Sequence, residues 1–97
     1  MSAIFASFGA MVFSQLDASR VTRDPHFLTR SAERHFNEGL LLRRVLVEGR
    51  HDWQQGECGT ELVVEHFIPE EGTWRVVARE DEENAVWNLI TVVWLGR

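Results

Sequence analysis

Apolar residues change their spacing midway along this 97-residue chain. Ile4, Phe5, Phe8, Met11, Val12 and Leu16 recur at intervals of three and four, the period of a helix with one buried face, and predict a first helix over residues 3–16. Gly9 interrupts that run, and the β-leaning Ile4, Phe5, Val12 and Phe13 leave a pair of short strands as the alternative. The polar stretch 17–23 reads as a connection. Asp24-Pro25 then starts a helix, because Asp accepts from the exposed N–H groups of a first turn and Pro has no N–H to lose there. This second helix is expected over residues 25–36, with Phe27, Leu28, Ser31, Ala32 and Phe36 toward the core. Asn37 caps a third helix over residues 38–47 that buries Leu41, Leu42, Val45 and Leu46 and stops at Gly49, although the run LLLRRVLV would also suit a strand.

From residue 60 the pattern is β. Segments 61–68, 73–79 and 86–94 are rich in Val, Ile, Phe, Trp and Thr, and the short polar breaks PEEG and EDEEN between them suit hairpins. The last segment is apolar on both faces and is expected at the sheet centre. Helices first and strands second make an α+β fold, with two to three N-terminal helices packed on a C-terminal antiparallel β-meander of three to four strands. The length allows a single domain, 1–97, divided into an apolar N-terminal extension (1–20) and a core (24–95).

Composition narrows the setting. Cys58 is the lone cysteine, so an internal disulfide is excluded and a reducing, cytoplasmic location fits. The apolar run AIFASFGAMVF lacks a basic leader and is far shorter than the ~20 residues of a membrane span, so no membrane partner is expected. All ten basic residues are Arg, whose planar fork favours phosphate and carboxylate, although genome composition would give the same bias. Residues 1–50 hold seven Arg against five acids, and residues 51–97 three against ten, so a basic first half precedes an acidic second half within the net −5. That total opposes a general nucleic-acid binder, and the local excess keeps a confined site open.

One constellation carries chemistry. His26, Arg30 and Arg34 recur every four residues and would stack along one helix face. A histidine can act as general acid or base near neutral pH, and guanidiniums can hold a scissile phosphate, so RNA with its own 2′-hydroxyl would need no metal or cofactor. The plain reading is a solvated face with Arg30 paired to Glu33, or Arg34 to Glu38. His66 and Arg75 would complete a cationic cluster if they met across the first hairpin on the ridge's side; otherwise both pair with nearby carboxylates. No two of His26, His35, His51 and His66 lie three or four residues apart, so no metal site is expected. Of four Trp, Trp87 and Trp94 read as core, whereas Trp53, in a polar loop, reads as exposed.

The pieces HFLTRSAER, NEGLLLRRVLVEG, ELVVEHFI, TWRVVAR and VWNLITVVW, in that order, resemble RelE-like and BrnT-like toxin-related domains over residues 24–95. That resemblance implies a compact ribonuclease-type fold and, for active members, metal-independent RNA cleavage in a toxin–antitoxin setting. His26, Arg30 and Arg34 take over the helix motif, and Thr91 and Trp94 fall in the final-strand segment. The apolar extension and the acidic charge depart from the pattern.

The first expectation is therefore a small toxin-like endoribonuclease. His26, Arg30 and Arg34 would be catalytic, with Arg75, His66 and Thr91 on the substrate; the partners would be RNA, free or ribosome-associated, and a cognate antitoxin. The second is an acidic inhibitor, of the kind a phage would encode, that blocks a nucleic-acid-binding machine through Glu80, Asp81, Glu82, Glu83 and an exposed Trp. The third is a toxin-fold relative that keeps association without catalysis.

Overall fold

A computed structural model describes residues 21–56, 59–81, 83–84 and 86–97. The expected helix over 3–16 and Cys58 lie outside the described residues. Strand β1 (Val21–Arg23) leads into helices α1 (Pro25–Glu33) and α2 (Glu38–Glu48), followed by strands β2 (Arg50–Gly56), β3 (Gly59–Ile68), β4 (Gly72–Asp81) and β5 (Val86–Gly96). Among the described residues the result is α+β, with two helices on a five-stranded mixed sheet of order β1-β5-β4-β3-β2. Strands β3 to β5 form the expected antiparallel meander, β2 extends it as a strand that the sequence pattern did not mark, and β1 adds a parallel edge through Val21↔Trp87 to Arg23↔Leu89.

Alternation along the strands sets the core. Leu62, Val64 and Ile68 of β3, Trp74, Val76 and Ala78 of β4, and Trp87, Leu89 and Val92 of β5 share the buried face with Phe27 and with Leu41, Leu42, Val45 and Leu46 of α2. α1 packs chiefly on β5, and α2 on β3 and β4. In β5 the register passes from Ala78↔Leu89 to Val77↔Thr91, leaving Ile90 as an extra residue. That bulge shifts the alternation by one place, which is why this segment reads as apolar on both faces.

Several expectations need correction. β4, not the last segment, is the central strand, since the parallel partner of β5 is only three residues long. The supposed connection 17–23 contributes β1. Trp53 is not in a loop: it lies in β2, partly buried, with its ring 6.0 Å from that of Trp87. Trp94, expected in the core, is 46% exposed. Among the described residues no helix is long and apolar enough to cross a membrane.

Candidate functional site

The motif helix begins as its sequence dictates. The Asp24 carboxylate accepts from the His26 N–H at 2.9 Å, and Pro25 occupies the first turn. The helix ends at Glu33, three residues before the expected end at Phe36, because the chain turns left-handed at His35 (φ +53°). The N–H of His35 donates to the Ala32 carbonyl (3.2 Å) and that of Phe36 to Ser31 (2.9 Å), the Schellman pattern with His where glycine is usual. The Ser31 hydroxyl reinforces it by donating to the Phe36 carbonyl at 3.3 Å. Phe36 is thereby drawn inward onto Trp74, with ring centroids 5.0 Å apart.

The stripe runs the length of the helix. His26 is exposed, and at 1.5 Å per residue it stands about 12 Å along the helix from Arg34. Arg30 is held by Glu33 at 2.6 Å. Arg34 is the C-cap; its Nη1 is buried and has no hydrogen-bond partner. Glu38, a possible partner for Arg34, instead pairs with Arg23 at 2.6 Å.

His66 and Arg75 do not meet. His66 is in register with Trp74 and Glu65 with Arg75, so successive residues place His66 on the helix side and Arg75 on the opposite face. His66 lies 3.3 Å from Glu48, while Arg75 directs Nε (2.9 Å) and Nη2 (2.7 Å) onto one oxygen of Glu65. Thr91 also lies on that outer face, opposite Val77. Arg75 and Thr91 thus lie on the sheet face away from the helices, while Arg30 and Arg34 stay one helical turn apart, with the Arg34 N–H donating to the Arg30 carbonyl at 3.0 Å.

What surrounds Arg34 is a different set. A cavity of about 350 Å³ is lined by Arg34, His35, Glu71, Trp74, Trp94 and Arg97, which come from the end of α1, the β3–β4 turn, β4 and the end of β5. Two Arg and a His share this lining with one Glu. The Trp94 indole donates to the Glu71 carbonyl at 2.9 Å, fixing strand end to turn. Gly72, at φ +108°, permits this closeness: a Cβ there would stand 2.7 Å from both the Gly96 carbonyl oxygen and the Trp94 indole nitrogen. Trp74 is almost wholly buried, and its indole N–H has no acceptor. The cavity is therefore bordered by the exposed Trp94 and by Arg34 and Trp74, each of which carries a buried donor without a partner.

A larger cavity of about 800 Å³ lies at the other end of the sheet, lined by Thr22, Arg79, Glu80, Asp81, Asn84, Val86 and Asn88. Arg79 is paired with Glu61 at 3.1 Å, and the side-chain and backbone N–H groups of Asn84 hold the Asp81 carboxyl below its ordinary range. Its acidic balance makes it unsuited to phosphate. Among the described residues no cluster of three His, Cys, Asp or Glu could hold a metal ion.

Sequence reasoning found Arg34 and missed its company. His35, Glu71 and Arg97 carry no local signal, being joined only by the fold; the one hint was an unusually apolar final strand ending in Trp94 and Arg97. No family model, no curated protein and no solved structure matches the chain.

Proposed function

We propose that this domain binds single-stranded RNA at the Arg34–Trp94 cavity, by association rather than cleavage. One observation carries the reading: the cations Arg34 and Arg97 line the same cavity as the 46% exposed Trp94. A base stacks on Trp94, a phosphate takes the donors of Arg34 and Arg97, and the Glu71 carboxylate accepts from a ribose 2′-hydroxyl, the group that separates RNA from DNA. The net −5 repels RNA at long range, but screening over about 10 Å at 0.1 M salt leaves the local cations to decide. The spacing of about 12 Å from His26 to Arg34 argues against a base and a phosphate clamp acting on one bond.

Fluorescence anisotropy with a labelled ten-nucleotide RNA at 0.1 M salt tests this. Arg34→Gln and Trp94→Leu should each weaken binding tenfold or more, His26→Ala and Arg75→Ala should leave it unchanged, and the RNA should stay intact. Unchanged affinity in Arg34→Gln, or cleavage abolished by His26→Ala, would overturn the reading.

The acidic inhibitor keeps one supporting observation: Asn84 closes on Asp81 (2.8 and 3.2 Å) and orders an acidic turn beside exposed Glu80. Under that reading, replacing Glu80, Asp81, Glu82 and Glu83 with Ser abolishes capture of a basic partner protein and spares RNA binding.

A further inference from the structure

β5 is apolar on both of its faces, and the described helices cover only one. Trp87, Leu89 and Val92 join the core shared with α1 and α2. Ile90, Thr91, Val93 and Leu95 point the other way, and two of them, Ile90 and Leu95, are the extra residues of bulges against β4. A sheet with one face in solvent normally sets polar side chains outward. Here Val63 and Val77 continue a row across the sheet from Thr91, and Phe67 stands at the same end as Leu95. Phe67 and Leu95 are 55% and 44% exposed. We infer that this outer face docks on the same face of a second copy of the chain, sheet against sheet, as a symmetric dimer.

Charge selects that occupant. The chain carries a net −5, yet on this face Arg50, Arg75 and Arg79 stand against Asp52, Glu61 and Glu65, with Asp81 in excess only at the hairpin rim. Most of these charges are already matched across strands: Glu65 with Arg75 at 2.7 Å and with Arg50 at 3.8 Å, and Glu61 with Arg79 at 3.1 Å. Two copies therefore meet here without the repulsion that their net charge imposes elsewhere. A strongly acidic or basic partner finds no matching excess on this face.

Area is sufficient. The four antiparallel strands run seven to eleven residues each, and at about 16 Å² of sheet per residue they present roughly 600 Å². Two such faces bury about 1,200 Å², the lower bound of a standard stable interface. The apolar band lies along β5 and across the middle of β3 and β4, so the contact has an apolar centre flanked by paired charges. The Arg34–Trp94 cavity is on the helix side of the sheet and stays open in this arrangement.

Sedimentation velocity of the full chain from about 1 to 100 µM tests this, a range that spans the micromolar dissociation constant expected of an interface at this limit. The parent should sediment at twice the chain mass at the upper concentration. Phe67→Glu and Thr91→Glu, at two positions still open to solvent in the single chain and with folds checked by circular dichroism, should each weaken the dimer tenfold or more. Leu40→Glu makes the same charge change on α2, at a side chain 69% exposed, and should leave the dimer intact. A parent that stays monomeric at about 100 µM overturns the inference. So does a dimer that survives both face substitutions, or one that Leu40→Glu breaks.

Discussion

Arg34→Met separates what this side chain does for the fold from what it does for a ligand. Nη1 of Arg34 is buried without a hydrogen-bond partner, and the residue as a whole is only half-buried. An unsatisfied buried donor costs ~1–3 kcal/mol, and the low end applies because the rest of the guanidinium still reaches water. Met retains an unbranched apolar stem and carries no donor. Stability should therefore rise by about 1 kcal/mol, an increase in Tm of roughly 4–8 °C for a domain of this size. RNA affinity should fall about ten- to a hundredfold, the equivalent of losing one charge-assisted hydrogen bond of ~1.5–3 kcal/mol. Thermal unfolding followed by circular dichroism and an anisotropy titration on the same sample read both quantities. A Met variant several degrees less stable than the parent would make Arg34 a structural residue and refute the reasoning, as would undiminished affinity.

Other predictions concern the frame. Gly49→Ala should destabilise by about 2 kcal/mol or more in urea unfolding, within or above the usual overpacking range: its Cβ would clash with the Val45 carbonyl and stand 2.7 Å from both the Glu65 carbonyl and a Val64 methyl. An unchanged midpoint would contradict that close approach of α2's end to β3. Burial holds the His51 imidazole below its ordinary 6.5, against a weaker opposing effect of its hydrogen bond to the Leu46 carbonyl. As pH falls, the unfolded chain therefore takes up this proton first, so stability is full above 6.5 and declines below it, and His51→Gln should flatten the decline of the urea midpoint between pH 7.5 and 5. A midpoint that rises on acidification would contradict the sign. A double-mutant cycle on Glu65 and Arg75 should return a coupling of ~0.5–1 kcal/mol, as for a cross-strand pair, with no change in RNA affinity; weaker RNA binding would return Arg75 to the ligand site.

How legible the molecule was depends on how local each signal is. Asp24-Pro25 announced α1, since a cap is read within four residues; Asn37 marked the start of α2 by position although its side chain makes no capping hydrogen bond, and Gly49 marked the end of α2 because a backbone passes close by. β2 was hidden because RHDWQQG presents only His51 and Trp53 to the core, and its exposed alternates are all polar. β1 was too short to show a period and exists through pairing with distant β5. The early stop of α1 had no glycine to signal it; His35 takes the left-handed turn as Phe36 seats on Trp74. The opposite faces of His66 and Arg75 follow from register alone, which the sequence of the hairpin left open. In the candidate site Arg34 was visible through its spacing from His26 and Arg30. The cavity around it joins residues 34–35, 71–74 and 94–97, a juxtaposition made by the sheet.

The central claim is that ligand meets this protein between the end of α1 and the end of β5. An NMR titration of the isotope-labelled chain with single-stranded RNA observes it directly through the indole N–H resonances of Trp74 and Trp94 and the backbone amides of residues 34–36. The account predicts that these signals move together and saturate, while those of Arg75 and Thr91 on the outer sheet face stay in place. Shifts confined to His26 and Arg30, or to the outer face, with both indoles unmoved, would contradict it.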